Sequence, residues 1–144
     1  MKVFLGGIIQ GSHAGTELHD QEYRDEIKRI IRARVPAASL ICPVDRHPNS
    51  IAYGPDEARH TFFSMVAEAE KADVVIAYLP EASMGTAIEM WQAHRAGRPV
   101  IAITPMRHNW VVNLLSTIVF PTLGEFRAFV EQGGLERLAT AGKE

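Results

Sequence analysis

The sequence lacks the features that mark several large classes of protein. It has a single cysteine, Cys42, so it cannot form an internal disulfide, as is usual for a protein of the reducing cytoplasm. Its 15 lysines and arginines stand against 17 aspartates and glutamates, which leaves no basic excess for nucleic acid or an anionic membrane. No apolar run is long enough to span a bilayer, and the N-terminus carries no signal-peptide cleavage site. These absences favour a cytoplasmic protein whose partner is neither nucleic acid nor a membrane.

Metal chemistry also has no signal here, because the six histidines show no ligand spacing. We therefore expect neither a metal nor a cofactor. The 144 residues are 47% hydrophobic and contain no internal repeat, which is enough for one well-buried core. We predict a single domain over residues 1–144, with a tail that frays from about residue 138.

The most informative stretch is Ala72–Pro105, which predicts a strand, a loop, a helix and a second strand. Val74–Tyr78 and Val100–Ile103 are short apolar runs typical of buried parallel strands. Between them, Pro80 ends the first strand, and a helix is expected from Gly85 to about Arg95. The stretch is therefore one βαβ unit, whose crossover should be right-handed.

Similar signals divide the rest of the chain. They predict strands at Lys2–Leu5, Ala38–Cys42 and Ile118–Phe120, and helices at Asp20–Arg34, Pro55–Lys71 and Leu123–Glu131. In the first of these helices, the charged residues, Arg24 and Lys28 among them, are expected on the solvent side. The fold class is an α/β doubly wound parallel sheet of about five strands, Rossmann-like or flavodoxin-like, flanked by helices.

In such a sheet, ligands bind beyond the carboxyl ends of the strands, where loops lead into helices. That position holds Ser83, Gly85, Thr86 and Glu89. A helix N-terminus favours negative charge, so Glu89 is either a favourable carboxylate near the helix start or a functional group. The pattern alone leaves both interpretations open.

Glycines mark the loop after the first strand, which contains Gly6, Gly7, Ile8 and Gly11. Glycine lets the backbone approach a ligand closely or adopt positive φ. The loop is therefore either a cradle of backbone N–H groups for a phosphate or ribose, or a tight turn.

The long segment Pro43–Pro55 is rich in proline, asparagine, histidine and glycine, and is predicted to be a loop. Tyr53 in this loop is a candidate to stack on a nucleobase. The alternative is a surface loop without ligand contact.

The string S-x-G-T-x-x-E-x-x-x-A from Ser83, followed by G-R-P-V and a strand, resembles the nucleoside 2-deoxyribosyltransferase family and its relatives, the (deoxy)nucleoside 5′-monophosphate N-glycosidases. The resemblance implies that Glu89 is the nucleophile that attacks the anomeric carbon of the sugar. It also implies a homodimer with shared active sites, because Asn113, in Asn-Leu-Leu-Ser, matches an asparagine that reaches into the neighbouring subunit. A helix-capping or surface role for Asn113 is the alternative.

The chain departs from that family at Met65, where the family usually has an aspartate that holds the sugar and manages the leaving base's proton. His60 and Ser64 lie close by in the sequence, and either is a candidate substitute. A lone histidine on a helix is more often structural than catalytic.

Other differences bear on the substrate. The transferases usually carry an aspartate six residues before the nucleophile, whereas the monophosphate hydrolases carry a serine, as here at Ser83. Ile9, however, replaces an arginine of the hydrolases' glycine loop, so Arg107 and His108 are alternative donors to a phosphate. The resemblance therefore implies a nucleoside 5′-monophosphate in preference to a free nucleoside, and hydrolysis in preference to transfer.

Three interpretations stay open. The first is an N-glycosidase or deoxyribosyltransferase, and the second is a nucleotide-binding protein without turnover, which the missing aspartate at Met65 would explain. The third is another doubly wound phosphate-binding protein, for example a flavodoxin-like domain, in which Glu89 has no role.

Overall fold

A computed structural model describes residues 1–141 of the chain. Its five strands are β1 (Lys2–Gly7), β2 (Ser39–Ile41), β3 (Val74–Tyr78), β4 (Val100–Ile103) and β5 (Ile118–Phe120). Its α-helices are α1 (Glu22–Arg34), α2 (Pro43–Arg46), α3 (Pro55–Lys71), α4 (Met84–Arg95), α5 (Trp110–Leu115), α6 (Leu123–Glu131) and α7 (Gly134–Ala141). Over this range, no helix is long and apolar enough to cross a membrane.

All five strands are parallel and lie in the order β2-β1-β3-β4-β5. The chain runs from β1 outward to β2 and then returns to place β3 on the other side of β1. The carboxyl ends of β1 and β3 therefore form the point where strand order reverses, which is where open α/β sheets bind ligands. The predicted doubly wound α/β fold is confirmed.

Alternate residues of each strand point to opposite faces of the sheet, and each face has its own apolar core. Val3 and Leu5 of β1 pack on the face covered by α1, α6 and α7. Phe4 packs on the other face, which α3, α4 and α5 cover. Because β3 and β4 are buried on both faces, their sequences are continuous apolar runs and do not alternate.

The structure differs from the sequence predictions in several segments. Gly6 and Gly7, expected in the loop after the first strand, are the last residues of β1, and helix α5 was not predicted. The expected long loop after β2 contains helix α2, with Pro43 at its first position, and a 3-10 turn at Ser50–Ala52. Leu138–Ala141, which lie in the tail that we expected to fray, belong to α7, and Leu138 packs against the core. Residues 142–144 of the predicted tail lie outside the described part of the chain.

Candidate active site

A cavity of about 370 Å³ opens at the carboxyl ends of β1 and β3. The loop after β1, the α3 helix and the start of α4 enclose it. The residues that line it are Gly7, Ile9, Gln10, Gly11, Arg24, Pro43, Ser50, Tyr53, Ala58, Thr61, Phe62, Met65, Ser83, Met84, Gly85, Thr86 and Glu89. The cavity thus brings together the motif on α4, the glycine loop and Tyr53, which lie far apart in the sequence.

Glu89 lies at the cavity beyond the first turn of α4, and its carboxylate rests against the backbone of Gly6. A Cβ atom at Gly6 would lie 2.7 Å from Oε2 of Glu89, closer than two such atoms can approach. An alanine at position 6 would therefore force the Glu89 carboxylate to move away from this backbone. Within residues 1–141, no protein group forms a hydrogen bond or ion pair with Glu89. Its oxygens are available to a ligand in the cavity.

Two opposing effects act on the acidity of Glu89. Burial raises its pKa from 4.5 to about 8, and the positive charge of Arg24 lowers it by less than burial raises it. From the helix dipole alone, we expected the start of α4 to keep this carboxylate ionised. Burial outweighs that favourable field, so the free protein holds a proton on Glu89 over much of the neutral range.

Arg24 is a member of this site that the sequence analysis missed. We expected it on the solvent side of α1, which is wrong: the residue is only 2% exposed. It lies one turn before Ile27 and two turns before Ile31, so it shares their inward-facing side of the helix. That spacing was the signal available in the sequence. Lys28, also expected outside, is buried as well and binds the carboxylates of Asp25 and Asp45.

The start of α4 presents polar groups to the cavity. Ser83 caps the helix by accepting a hydrogen bond from the backbone N–H of Thr86, and its hydroxyl lies 3.0 Å from that of Thr86. Gly85 also lines the cavity. The first N–H groups of a helix lack intrahelical partners, so this end of α4 is suited to an anion.

The glycine loop combines cavity contacts with structural constraints. Gly7 and Gly11 line the cavity, and Gly11 has a φ of +57°, which favours glycine. A Cβ at Gly7 would collide with the hydroxyl of Tyr23, which donates a hydrogen bond to the carbonyl of Ile8. Ile8 itself is fully buried, and its N–H donates to Tyr78 in the sheet. Ile8 is therefore placed behind the cavity, not at its surface.

Helix α3 forms one side of the cavity and carries Met65. Met65 is buried and lines the cavity, and Thr61, one turn earlier, lies beside it. His60 is exposed and Ser64 is only partly buried, and neither lines the cavity. The structure therefore brings neither candidate substitute to the site. Thr61 was missed by the sequence analysis, although its spacing of four from Met65 places both on one helix face.

Of the remaining candidates, only Tyr53 lines the cavity, with its hydroxyl 3.1 Å from Nδ1 of His47. Arg107 and His108 are exposed in the turn after β4 and lie outside the cavity lining. Asn113 is an exposed residue of α5 whose amide donates to the carbonyl of Arg107. In the described part of the chain, no group of three or more histidine, cysteine, aspartate or glutamate residues is arranged to hold a metal.

No protein-family model and no curated protein sequence matches the chain. Solved structures do. A 2-deoxyribosyltransferase from Bacillus psychrosaccharolyticus superposes with a TM-score of 0.67 and 16% identity, covering 88% of this chain and 90% of that chain. A conserved protein from Enterococcus faecalis V583 gives a TM-score of 0.66 and 19% identity, covering 92% of this chain and 98% of that chain.

The CMP N-glycosidase BcmB from Clostridium botulinum gives a TM-score of 0.54 and 16% identity, covering 92% of this chain and 98% of that chain. Identities this low establish the fold and leave the activity to be tested. The chain therefore has the fold that the 2-deoxyribosyltransferase and the CMP N-glycosidase share.

Proposed function

We propose that this protein cleaves the N-glycosidic bond of a nucleoside 5′-monophosphate or nucleoside, with Glu89 as the nucleophile. One observation carries the proposal: a carboxylate without a protein partner faces a cavity at the switch point of the sheet. In enzymes that cleave glycosidic bonds, a carboxylate in such a position stabilises an oxocarbenium-like transition state or forms an ester with the sugar.

In the reaction, an oxygen of ionised Glu89 attacks the anomeric carbon while the bond to the base breaks. The base leaves with the bonding electrons and takes up a proton. A water molecule then attacks the same carbon and releases Glu89, which gives hydrolysis; a second base in place of water gives transfer. Because Glu89 has a pKa of about 8, it must lose its proton before it attacks.

The polar start of α4 supports a phosphorylated substrate. Ser83 and Thr86 offer hydroxyl groups and Gly85 adds a backbone N–H, all beside an anion-favouring helix terminus. A carboxylate at position 83 would repel a phosphate. We therefore favour a nucleoside 5′-monophosphate over a free nucleoside, and hydrolysis over transfer.

A second candidate function, a nucleotide-binding protein without turnover, is favoured by Met65. A buried thioether cannot manage a proton at the leaving base, and Glu89 is the only carboxylate among the described residues that line the cavity. In the proposed enzyme, hydrogen bonds from Tyr53 or Thr61 to the base have to compensate for that loss.

We also propose a homodimer, as the resemblance at Asn113 implies, in the cytoplasm. Large apolar side chains are exposed on α3, α4 and α5, which are neighbours on one face of the molecule. They are Phe63, Met84, Ile88, Trp91, Trp110, Val111 and Leu114. An exposed apolar surface of this extent is typical of an interface, and Met84 joins it to the cavity mouth. We expect Leu114→Glu to convert a dimer into a monomer in analytical ultracentrifugation.

The test is free-base release, followed by chromatography, from ribo- and deoxyribonucleoside 5′-monophosphates and from their nucleosides. Wild type should release base and Glu89→Gln, which keeps the shape without the charge, should not. In Ser83→Asp, the ratio of activity on a monophosphate to activity on the matching nucleoside should fall at least about tenfold below that of wild type. The reason is repulsion between the new carboxylate and the phosphate. Binding of a nucleotide without release by wild type would favour the second function, and release by Glu89→Gln would remove Glu89 from the mechanism.

A further inference from the structure

The cavity-facing end of β1 lacks a strand neighbour on one side. β1 pairs with β3 as far as Gly7, but its pairing with β2 ends at Phe4, opposite Ile41. After Ile41 the chain turns away at Cys42 and enters α2 at Pro43. Carbonyl groups alternate in direction along a strand, so those of Leu5 and Gly7 point to the same side. On that side they need partners from outside the sheet, because buried carbonyl groups without hydrogen bonds are costly.

Arg24 supplies those partners from α1. Its Nη1 donates to the carbonyl of Leu5 and its Nη2 to that of Gly7, both at 3.1 Å. Its Nε donates to the side chain of Gln21 at 2.7 Å, and Nη1 also lies 3.6 Å from the sulfur of Cys42. The rigid fork of the guanidinium thus replaces the missing β2 strand beside these two residues.

The residue between the two carbonyls is Gly6, and Gly6 is the surface against which the Glu89 carboxylate rests. Arg24 therefore holds the backbone on both sides of the point that Glu89 touches. Arg24 also lines the cavity with Glu89 and forms no salt bridge with any residue between 1 and 141. An unpaired buried cation is costly, and a nearby carboxylate reduces that cost when it ionises.

We propose that Arg24 is a positioning residue for Glu89: it fixes the Leu5–Gly7 backbone against which the carboxylate packs and supplies the positive charge that favours its ionised form. This role rests on the proposed function of Glu89. Direct binding of a substrate phosphate by Arg24 is disfavoured, because its guanidinium is almost fully buried and all three of the guanidinium nitrogens form hydrogen bonds with protein groups.

The titratable and charged groups around Glu89 make Arg24 the relevant partner. From α1 come Arg24 and Tyr23, and burial raises the pKa of Tyr23 well above its usual value, so that it stays neutral. Tyr78 of β3 stacks on Tyr23, and Tyr53 lines the cavity. The residues of α3 that line the cavity carry no titratable group. Arg24 is the one cation among the described residues of the cavity lining.

The first test uses the wild-type protein and NMR. We expect the Nε–H resonance of Arg24 to shift with pH at the same midpoint as the side-chain carboxyl ¹³C of Glu89, and to become independent of pH in Glu89→Gln. If the Arg24 resonance of the wild-type protein does not shift when Glu89 ionises, the proposal is overturned. This test requires no substitution at Arg24.

The second test compares Arg24→Gln with Arg24→Lys. Loss of the charge should move the Glu89 midpoint upward by about one pH unit, and Arg24→Lys, which keeps a charge but not the fork, should move it less. In the base-release assay, Arg24→Gln should be about tenfold slower than wild type at mildly acidic pH and close to wild type well above pH 8. A rate loss that is equal at every pH, with an unchanged Glu89 midpoint, would mean that Arg24 is only structural.

The NMR tests also separate this inference from the proposed function. If no nucleotide releases base but the resonances of Arg24 and Glu89 titrate together, the proposed reaction fails and the coupling of the two residues stands. If base is released with Glu89 required, yet the two residues titrate independently, the reaction stands and the role of Arg24 fails.

Discussion

Replacement of Glu89 by glutamine should stabilise the protein at alkaline pH. The buried carboxyl has a pKa of about 8, against 4.5 for an exposed glutamate. At about 1.36 kcal/mol per unit of pKa, this gap corresponds to about 5 kcal/mol as an upper limit. Glu89 is only partly buried and borders the open cavity, so contact with water reduces the cost. We expect Glu89→Gln to gain about 2 to 4 kcal/mol relative to wild type at high pH.

The direction of the pH dependence follows from the raised pKa. Below pH 4.5 the carboxyl is protonated in both the folded and the unfolded chain. The difference in the free energy of unfolding between wild type and Glu89→Gln is therefore independent of pH in this range. Between pH 4.5 and about 8 the unfolded carboxyl ionises while the folded one keeps its proton, so wild type loses stability relative to Glu89→Gln. Above about pH 8 both states are ionised and the difference stays at its maximum.

The assay is urea unfolding of both proteins across this pH range, with the free energy of unfolding obtained at each pH. Glu131→Gln, at an exposed position at the end of α6, is the matched control and should follow wild type closely. A difference between Glu89→Gln and wild type that does not change from about pH 5 to pH 9 would refute the reasoning. It would mean that water solvates the Glu89 carboxylate in the folded protein as well as in the unfolded chain.

Three further predictions concern the proposed reaction. The value of kcat/KM for base release should rise with pH and level off above about pH 8, because ionised Glu89 is the nucleophile; a flat profile between pH 5 and 9 would contradict this. Gly6→Ala should slow base release by about 100-fold, since the new methyl group would displace the Glu89 carboxylate. Gly124→Ala on α6, where a Cβ meets nothing closer than 3.8 Å, is its control, and equal rates for the two variants would exclude the contact as important. Met65→Asp places a carboxylate on the cavity wall, so it should lower stability in urea unfolding but speed base release; a slower reaction at every pH would show that a carboxylate there does not assist the leaving base.

The strands of the sheet and the helices between them could be predicted from local sequence patterns. Apolar runs such as Val74–Tyr78 predict buried strands because both faces of a central parallel strand are covered. The helix expected from Gly85 begins one residue earlier, at Met84, where the Ser83 side chain accepts a hydrogen bond from an N–H group of the first turn. A doubly wound order then places the Ser83–Glu89 motif at the switch point. For that reason Glu89, Ser83, Gly85 and Thr86 could be chosen in advance, and all four line the cavity.

The cavity's other members depend on contacts between distant segments. Arg24 was expected outside because arginines usually are, and its burial follows from the early end of β2, which leaves the carbonyls of Leu5 and Gly7 for it to bind. His60, Ser64, Arg107 and His108 were chosen for their polarity and position in the sequence, yet none of the four lines the cavity.

The succession of strands and helices along the chain and the position of Glu89 near a helix start could therefore be predicted from the sequence, because both depend on neighbouring residues and on general rules of sheet topology. Its role as a nucleophile was implied only by the family resemblance. The acidity of Glu89, its contact with Gly6 and its electrostatic interaction with Arg24 were decided only by the tertiary structure. The reason is physical: desolvation and electrostatic interaction depend on which atoms lie within a few ångströms in space, and here they come from β1, α1 and α4.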